Sequence, residues 1–445
     1  MFDLANFTPW TLFSDFGILC GLLLVGKFLR VKIRLIQKLF IPPSLLAGIL
    51  GLAFGPNGLG FLPLSGNIGT YAAILIAVVF GALPLSSPGF KVKEVARRVG
   101  PMWAFSQFGM LFQWALMGLF GLLVLRLIWP DLHEAFGVML PTGFYGGHGT
   151  AAAIGSAFEG LDWDEATSLG MTTATLGVIV AILGGLLFIK IATKKGQTSY
   201  LADFNDLPDE YRSGLLPEEK REPTAVGTTS PISIDSHIFH LSLVVLAAFG
   251  GYMMSKGVKQ FAPALELPVF SCAFVVGMLL KAAFNRAGAA TYIDPRTTGS
   301  ISSSATDLLV ACGVASIKLG VVVKYAWPLV VLTIAGIVLT VFTVFFFGRH
   351  LNRKDWFEKS IFAWGWWTGT MAMGIALLRI VDPKMRSRAM DDYALAYLPC
   401  APVEILLITF VPILFAAGQG LWLMLGCLLI SLLIIFLARR LKWWV

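Results

Sequence analysis

The sequence predicts an all-α integral membrane protein, and three observations carry that prediction. Of 445 residues, 57% are hydrophobic and only 13% charged, where a soluble domain is roughly a quarter charged. The apolar residues come in span-length runs bounded by basic clusters, without the alternation of a membrane barrel. The third observation is the stretch Pro141–Gly155, PTGFYGGHGTAAAIG, with five glycines and a proline inside an apolar region. It makes a poor continuous helix, because glycine costs about 1 kcal/mol per position relative to alanine. Broken backbone at membrane depth is tolerated only where protein buries it or a water-filled cavity receives it. The stretch therefore predicts the tip of a re-entrant hairpin whose peptide groups face a solute, which points to transport.

Taken in order, Trp10–Leu29 is the first expected span, followed by the basic run Lys27, Arg30, Lys32, Arg34 and Lys38. Phe40–Phe54 is the second; Pro42-Pro43 opens it without loss, since the first helical turn has no N–H partner to give up. The uncharged turn Gly55–Asn67 leads to Ile68–Leu83, and Lys91, Lys93, Arg97 and Arg98 then recur. Trp103–Ile128 is the fourth span. The first hairpin, 134–158, follows among acids (Asp131, Glu134, Glu159, Asp162, Asp164, Glu165), and Glu165–Ile191 ends the half at Lys190, Lys194 and Lys195. Residues 196–234 are polar, mixed in charge and rich in proline, serine and threonine, as expected of a linker.

The second half repeats the plan: His237–Met254, Leu267–Phe284, Ser300–Val322, Tyr325–Phe347, a second hairpin over 358–382 containing GWWTGTMAMG, and Asp392–Phe415. An additional span, Leu421–Leu437, closes the chain. The expected domains are thus an N-terminal repeat 1–195, the linker 196–234, a C-terminal repeat 235–416 and an extra span in 417–445. Pro42 with Gly51 mirrors Pro268 with Gly277 at equal spacing, and GGHGT mirrors TGT. Five spans per half is an odd number, so the second copy is inverted in the membrane. Inverted repeats with interrupted helices at matching positions point to a secondary transporter's binding site.

Charge sets the orientation. With the N-terminus outside and the C-terminus inside, only Arg126, Lys256, Lys259, Lys318 and Lys324 of the 34 Lys and Arg residues fall toward the outer face, as the positive-inside rule requires. The formal charge of +8 therefore reflects the loops between spans and not a nucleic-acid surface. The five cysteines (Cys20, Cys272, Cys312, Cys400, Cys427) lie in apolar runs without ligand spacing and read as small buried hydrophobes. Trp103, Trp129, Trp163, Trp356, Trp364, Trp366 and Trp367 cluster near expected span ends, as interfacial anchors do. No HExxH, Gly-x-Ser-x-Gly or Asp-rich phosphotransfer motif is present, so the sequence gives no reason to expect an enzyme. Met1–Trp10 lacks the basic leading region of a cleavable signal peptide.

Three stretches carry a family resemblance: GGHGTAAA with ATLG (Ala174–Gly177), IPPSLLAGILG (Ile41–Gly51) after a basic turn, and LELPVFSCAFVVGMLL (Leu265–Leu280). On these the chain resembles the bacterial sodium/glutamate symporter family, over most of its length. The resemblance implies two inverted five-span repeats, two re-entrant hairpins meeting near mid-membrane, sodium coupling, a homodimer and an elevator-like motion. It also implies residence in the bacterial inner membrane. The sequence departs from the family in the second hairpin, where GTMAMG (Gly369–Gly374) after Trp366 and Trp367 replaces a Gly-Ala-Thr-Pro-Thr-type stretch. The expected function is sodium-coupled import of glutamate or a related small carboxylate. The alternative is a proton-coupled or exchange-type organic anion transporter of the same fold.

An amino-acid dicarboxylate needs donors for its carboxylates and an acceptor for its ammonium group, whereas sodium needs hard oxygens. Candidate substrate contacts are Gly146, Gly147, His148, Gly149 and Thr150 in the first hairpin and Thr368, Gly369 and Thr370 in the second. Asp307, an acid in an unusually polar span, and Arg379, a bidentate carboxylate partner, complete the set. Candidate sodium ligands are Thr142, Thr172, Thr175, Ser304 and Glu404. Competing readings stay open: His148 as a structural residue, the threonines bonded to their own helices, Asp307 near a membrane edge, Arg379 reaching the cytoplasmic face beside Asp382, and Glu404 as a proton-linked group.

Overall fold

The computed structural model describes residues 7–38, 41–86, 92–200, 213–221, 223–261, 267–352, 354–382 and 386–444. Lys91 of the second basic cluster, residues 1–6 of the leading segment, and 201–212 and 222 of the linker lie outside the described residues. The helices that matter here are α1 (Pro9–Lys32), α2 (Pro43–Phe54), α3 (Ile68–Ser86), α4 (Val92–Phe120), α5 (Met139–Phe144), α6 (Gly147–Glu159), α7 (Ala166–Lys194), α8 (Ser236–Phe261), α9 (Val269–Arg286) and α10 (Pro295–Ala315). They continue with α11 (Ala326–Phe342), α12 (Trp356–Thr368), α13 (Met371–Val381), α14 (Ala389–Ala416) and α15 (Gly420–Arg440). No strand occurs among the described residues.

Among the described residues, nine helical segments are long and apolar enough to cross a bilayer. Two further expected spans are helical but fail that measure for different reasons. The helix α2 has only 12 residues, about 18 Å at 1.5 Å per residue, against a hydrocarbon core of about 30 Å. The helix α10 is long enough at 21 residues, but Ser302, Ser303, Ser304, Thr306 and Asp307 make it too polar.

The chain divides into two compact units, and neither corresponds to one sequence half. The first comprises residues 1–27, 42–89 and 216–317, and the second 28–41, 90–215 and 318–445. Within the first unit, small residues let backbones approach closely, as membrane helices require. A Cβ on Gly48 would lie 2.6 Å from Val314 and one on Gly51 2.8 Å from Ala315, which seats α2 on α10. Gly277 of α9 faces the Gly81 carbonyl of α3 in the same manner. One apolar cluster gathers Leu19, Ala47, Ile68, Tyr71, Ala311 and Ala315; a second gathers Ala82, Leu85, Leu243, Val244 and Ile301.

A buried carboxylate pins this unit. Asp15 is fully enclosed and accepts hydrogen bonds from the Ser65 N–H at 2.8 Å, the Ser65 hydroxyl and the Tyr71 hydroxyl at 2.7 Å. Three donors meet the requirement that a buried charge be bonded. They tie the α2–α3 turn to α1.

The second unit contains both interrupted segments. Its core is aromatic, and here one expectation is corrected. Trp364, Trp366, Trp367 and Trp163 are buried within the protein instead of anchoring at a membrane interface. Trp364, Trp366 and Trp367 lie on α12, a half-length helix buried over most of its length, so they meet protein where a full span would offer them headgroups, while Trp163 stacks on His133 at 4.0 Å and meets Phe158 at 5.1 Å. The Trp367 ring fills the space over Gly109 and packs 4.8 Å from Phe105, while the Trp364 Nε1–H donates to the Ala181 carbonyl at 3.0 Å. Of the cysteines, Cys272, Cys312, Cys400 and Cys427 are buried and Cys20 is partly so.

Candidate functional site

Local chemistry explains why the first segment breaks where it does. In α5 every residue is buried, and the Thr142 hydroxyl donates to the Val138 carbonyl at 2.7 Å. The N–H groups of Tyr145 and Gly146 both turn back to the Pro141 carbonyl, at 3.0 and 3.3 Å, which ends the helix. Gly147 then adopts φ +64°, a left-handed conformation that glycine enters at no steric cost. From there α6 runs on, and its first N–H groups have no partner within the helix.

The second break has a different chemistry. The helix α12 ends at Thr368, whose hydroxyl donates to the Trp364 carbonyl at 2.7 Å. Gly369 and Thr370 are extended or irregular (φ −138° and −143°). The Thr370 hydroxyl oxygen then caps α13 by accepting from the Met373 N–H at 3.4 Å, a favoured role for threonine. The final carbonyls of α12 lack partners within their own helix. Gln113 supplies one to the Trp367 carbonyl at 3.5 Å and also donates to the Thr340 hydroxyl at 2.8 Å.

The two breaks meet. A Cβ placed on Gly147 would lie 3.2 Å from the Gly369 carbonyl oxygen and 3.7 Å from the Thr370 methyl group. The positive end of α6 therefore adjoins the negative, carbonyl-rich end of α12. Such a pairing offers N–H groups to an anion and hard oxygens to a small cation in one place.

One helix holds both breaks in register. Along α7, the Thr173 hydroxyl donates to the Met139 carbonyl at 2.7 Å, and Gly143 nestles against Thr173 and Ala174. A turn later Gly177 passes the Thr368 carbonyl so closely that a Cβ would sit 2.2 Å from it. Ala181 accepts from Trp364, Gly184 packs on the Trp364 ring and Gly185 meets Leu377. These positions recur every three to four residues and form one face. Thr173, Gly177, Ala181 and Gln113 were not among the residues singled out from sequence. The small-residue spacing of α7 is the signal that could have found the first three.

The candidate residues separate by location. Gly146, Gly147, His148, Gly149, Thr150, Thr368, Gly369 and Thr370 gather at the paired breaks. Buried His148 lies with Nε2 3.2 Å from the Thr175 hydroxyl. That hydroxyl gives its proton to the Met171 carbonyl at 2.9 Å, so the ring nitrogen is the donor between them. Thr172 bonds to the Ser168 carbonyl at 2.6 Å, as Thr142 does within its own segment. Arg379 stands in the last turn of α13, nine residues and about 13 Å of helix from Thr370. Both carboxylate oxygens of Asp382 accept backbone N–H groups, from Arg386 at 2.9 Å and Ser387 at 2.7 Å. Ser304 and Asp307 belong to the other compact unit, both exposed. The Ser304 hydroxyl bonds to the Ser300 carbonyl at 2.9 Å.

Glu404 connects to the breaks through rings. It accepts from the Tyr397 hydroxyl at 2.8 Å. Tyr397 stacks on Tyr393 at 5.6 Å, Tyr393 lies 4.6 Å from Trp366, and Trp366 meets Tyr145 edge-on at 4.9 Å. Tyr145 immediately precedes Gly146. Its hydroxyl is buried without a hydrogen-bond partner among the described residues, as are the indole N–H groups of Trp366 and Trp367.

A family model described as sodium/glutamate symporter matches residues 132–371, more than half of the chain. No curated protein matches it. The matched region opens just before α5 and closes on the first residue of α13, so it takes in both breaks and the helix α7 that holds them. The chain belongs to the sodium/glutamate symporter family.

Proposed function

We propose that this protein is a sodium-coupled symporter that imports glutamate or a related small carboxylate across a bacterial inner membrane. The observation that carries the proposal is the approach of Gly147 to the Gly369 carbonyl. Two interrupted segments, read as re-entrant hairpins, bring donors and oxygens to one place away from lipid. The substrate carboxylate sits at the N–H groups that open α6, and sodium takes oxygens from the carbonyls that close α12 and from neighbouring hydroxyls. The assignment of Thr142, Thr172, Thr175, Ser304 and Glu404 to sodium, and of Asp307 and Arg379 to substrate, remains part of the proposal. Sodium raises affinity for substrate and, by linkage, substrate raises affinity for sodium equally.

The inverted-repeat reading has support within each unit. Pro42 and Pro268 open their helices with nearly identical backbone angles (φ −63°, ψ 140° and φ −59°, ψ 140°). Exchanging the halves exchanges the contacts, since α2 packs on α10 and α9 on α3. A π turn precedes each interrupted segment, at Gly121–Leu125 and Thr343–Phe347. We take the unit with both breaks as the part that moves, in an elevator-like manner, and the functional protein as a homodimer with its N-terminus outside and C-terminus inside.

Uptake into proteoliposomes under an imposed sodium gradient tests the coupling. Accumulation of glutamate that collapses without sodium is expected; accumulation driven by a proton gradient alone contradicts it. The second reading, proton-coupled or exchange transport of an organic anion, is favoured by the chain of rings from Tyr145 to Glu404. Under that reading Glu404→Gln abolishes proton-driven uptake, whereas under the first, with Glu404 among the sodium ligands, it raises the sodium concentration that uptake requires.

A further inference from the structure

The second unit also holds a cavity of about 290 Å³ whose lining includes Asn352, Lys354, Lys359, Asp392, Lys442 and Trp443. Its size is near the lower end of small-molecule sites, roughly 300 Å³. Three lysines face one aspartate, and Lys359 is already committed to Asp392 at 3.0 Å. The exposed Lys354 and Lys442 make no ion pair among the described residues. The cavity thus carries uncompensated positive charge.

Asn352 supplies the second observation. It is 3% exposed, and neither its amide nitrogen nor its amide oxygen has a hydrogen-bond partner among the described residues. A buried amide left bare costs free energy, and a side chain with one donor face and one acceptor face suits a ligand offering both. The extra C-terminal span builds the opposite wall. Beyond α15 the chain turns at Lys442 with φ +59°, and the N–H of Trp443 donates to the Ala438 carbonyl at 2.9 Å. The Trp443 ring then seats over Gly100, where a Cβ would lie 2.4 Å from it. Trp444 stacks on His350 at 4.9 Å beneath the Arg439 guanidinium, so this wall is fixed.

We propose that this cavity binds a phosphate ester that also carries a hydroxyl group, of the phosphoglycerol type. The ammonium groups of Lys354 and Lys442 take the phosphate oxygens, the Asn352 amide nitrogen adds a neutral donor, and the Asn352 oxygen accepts from the ligand hydroxyl. The same chemistry occurs in an anionic lipid headgroup and in a free glycerol phosphate. The lipid is favoured by Trp443 at the rim and by the basic end of the chain, since basic pockets between transmembrane helices take anionic headgroups.

The test uses the full chain, purified in detergent and stripped of lipid. Native mass spectrometry after mixing with equal amounts of phosphatidylglycerol and phosphatidylcholine reads selectivity, with Lys354→Gln/Lys442→Gln as the comparison. Each lysine is expected to contribute roughly fivefold, so the double variant loses about twenty-five-fold of the preference for phosphatidylglycerol. Asn352→Leu should lower the preference for phosphatidylglycerol over phosphatidic acid, which has no headgroup hydroxyl. A second arm measures thermal shift with glycerol 3-phosphate and with inorganic phosphate. A shift with glycerol 3-phosphate that the double variant lacks supports the site and assigns a soluble ester; lipid retention without that shift supports the site and assigns the headgroup. Equal retention of both lipids by the unaltered protein with no shift from glycerol 3-phosphate, or an unchanged preference and shift in the double variant, overturns the proposal.

Discussion

Gly147 concentrates two constraints in one residue. Its φ of +64° excludes β-branched side chains, and its Cβ direction leads to the Gly369 carbonyl. Gly147→Val is therefore expected to cost about 1–3 kcal/mol and to abolish uptake; an unchanged melting temperature together with normal uptake would remove Gly147 from its assigned place. Asp294 gives a residue-scale prediction of a different kind. Burial alone would raise its carboxyl, but hydrogen bonds from the Thr297 hydroxyl and from the N–H groups of Val226, Thr297 and Arg296 outweigh that and hold it below its ordinary value. The folded form therefore binds this proton less readily than the unfolded chain. The stabilisation is present above the unfolded value of about 3.9 and is lost as pH falls through the folded value. Melting curves of the unaltered protein and Asp294→Asn should differ at neutral pH and converge below about pH 4; a gap that widens in acid would contradict the hydrogen-bond account.

At the scale of the element, α7 decides how the breaks sit. Its contacts with both segments run through small residues, so added volume at Gly177, where a Cβ would lie 2.2 Å from the Thr368 carbonyl and 3.1 Å from the Phe144 ring, should press hardest on the second break. Gly177→Leu is expected to cost about 1–3 kcal/mol through overpacking, with loss of uptake, whereas the same change at Gly17 in α1, where a Cβ meets nothing within 4 Å, should leave uptake intact. Equal effects at both positions would show that α7 does not hold the second segment.

Much of this scale was legible in the sequence. The break in the first segment follows from the run Gly146-Gly147, where Gly147 takes φ +64°, while Pro141 sits inside α5. The second break was legible from Gly369 between two threonines, and the starts of α2 and α9 from Pro42 and Pro268. The tryptophans of α12 were not legible, because local sequence cannot distinguish a half-helix wrapped in protein from the end of a span. Gln113 was hidden for a related reason: it serves partners distant in the chain, and its place within its own helix gives no sign of them. Asp15 gives no sign of its role in the sequence, because its three donors come from the turn and helix after the second span.

For the whole molecule, the division into two units that each draw on both halves is what an inverted repeat with a moving part would need. Ser304 and Asp307 belong to a different unit from the residues gathered at the breaks. The account rests on the meeting of the breaks being a binding place for solute. The most direct measurement is an electron cryo-microscopy map of the protein with sodium and glutamate. Density is expected against the N–H groups opening α6 at Gly147–Gly149 and the carbonyls of Thr368 and Gly369. Substrate density bound at Asp307 alone, or breaks separated with lipid between them, would contradict it.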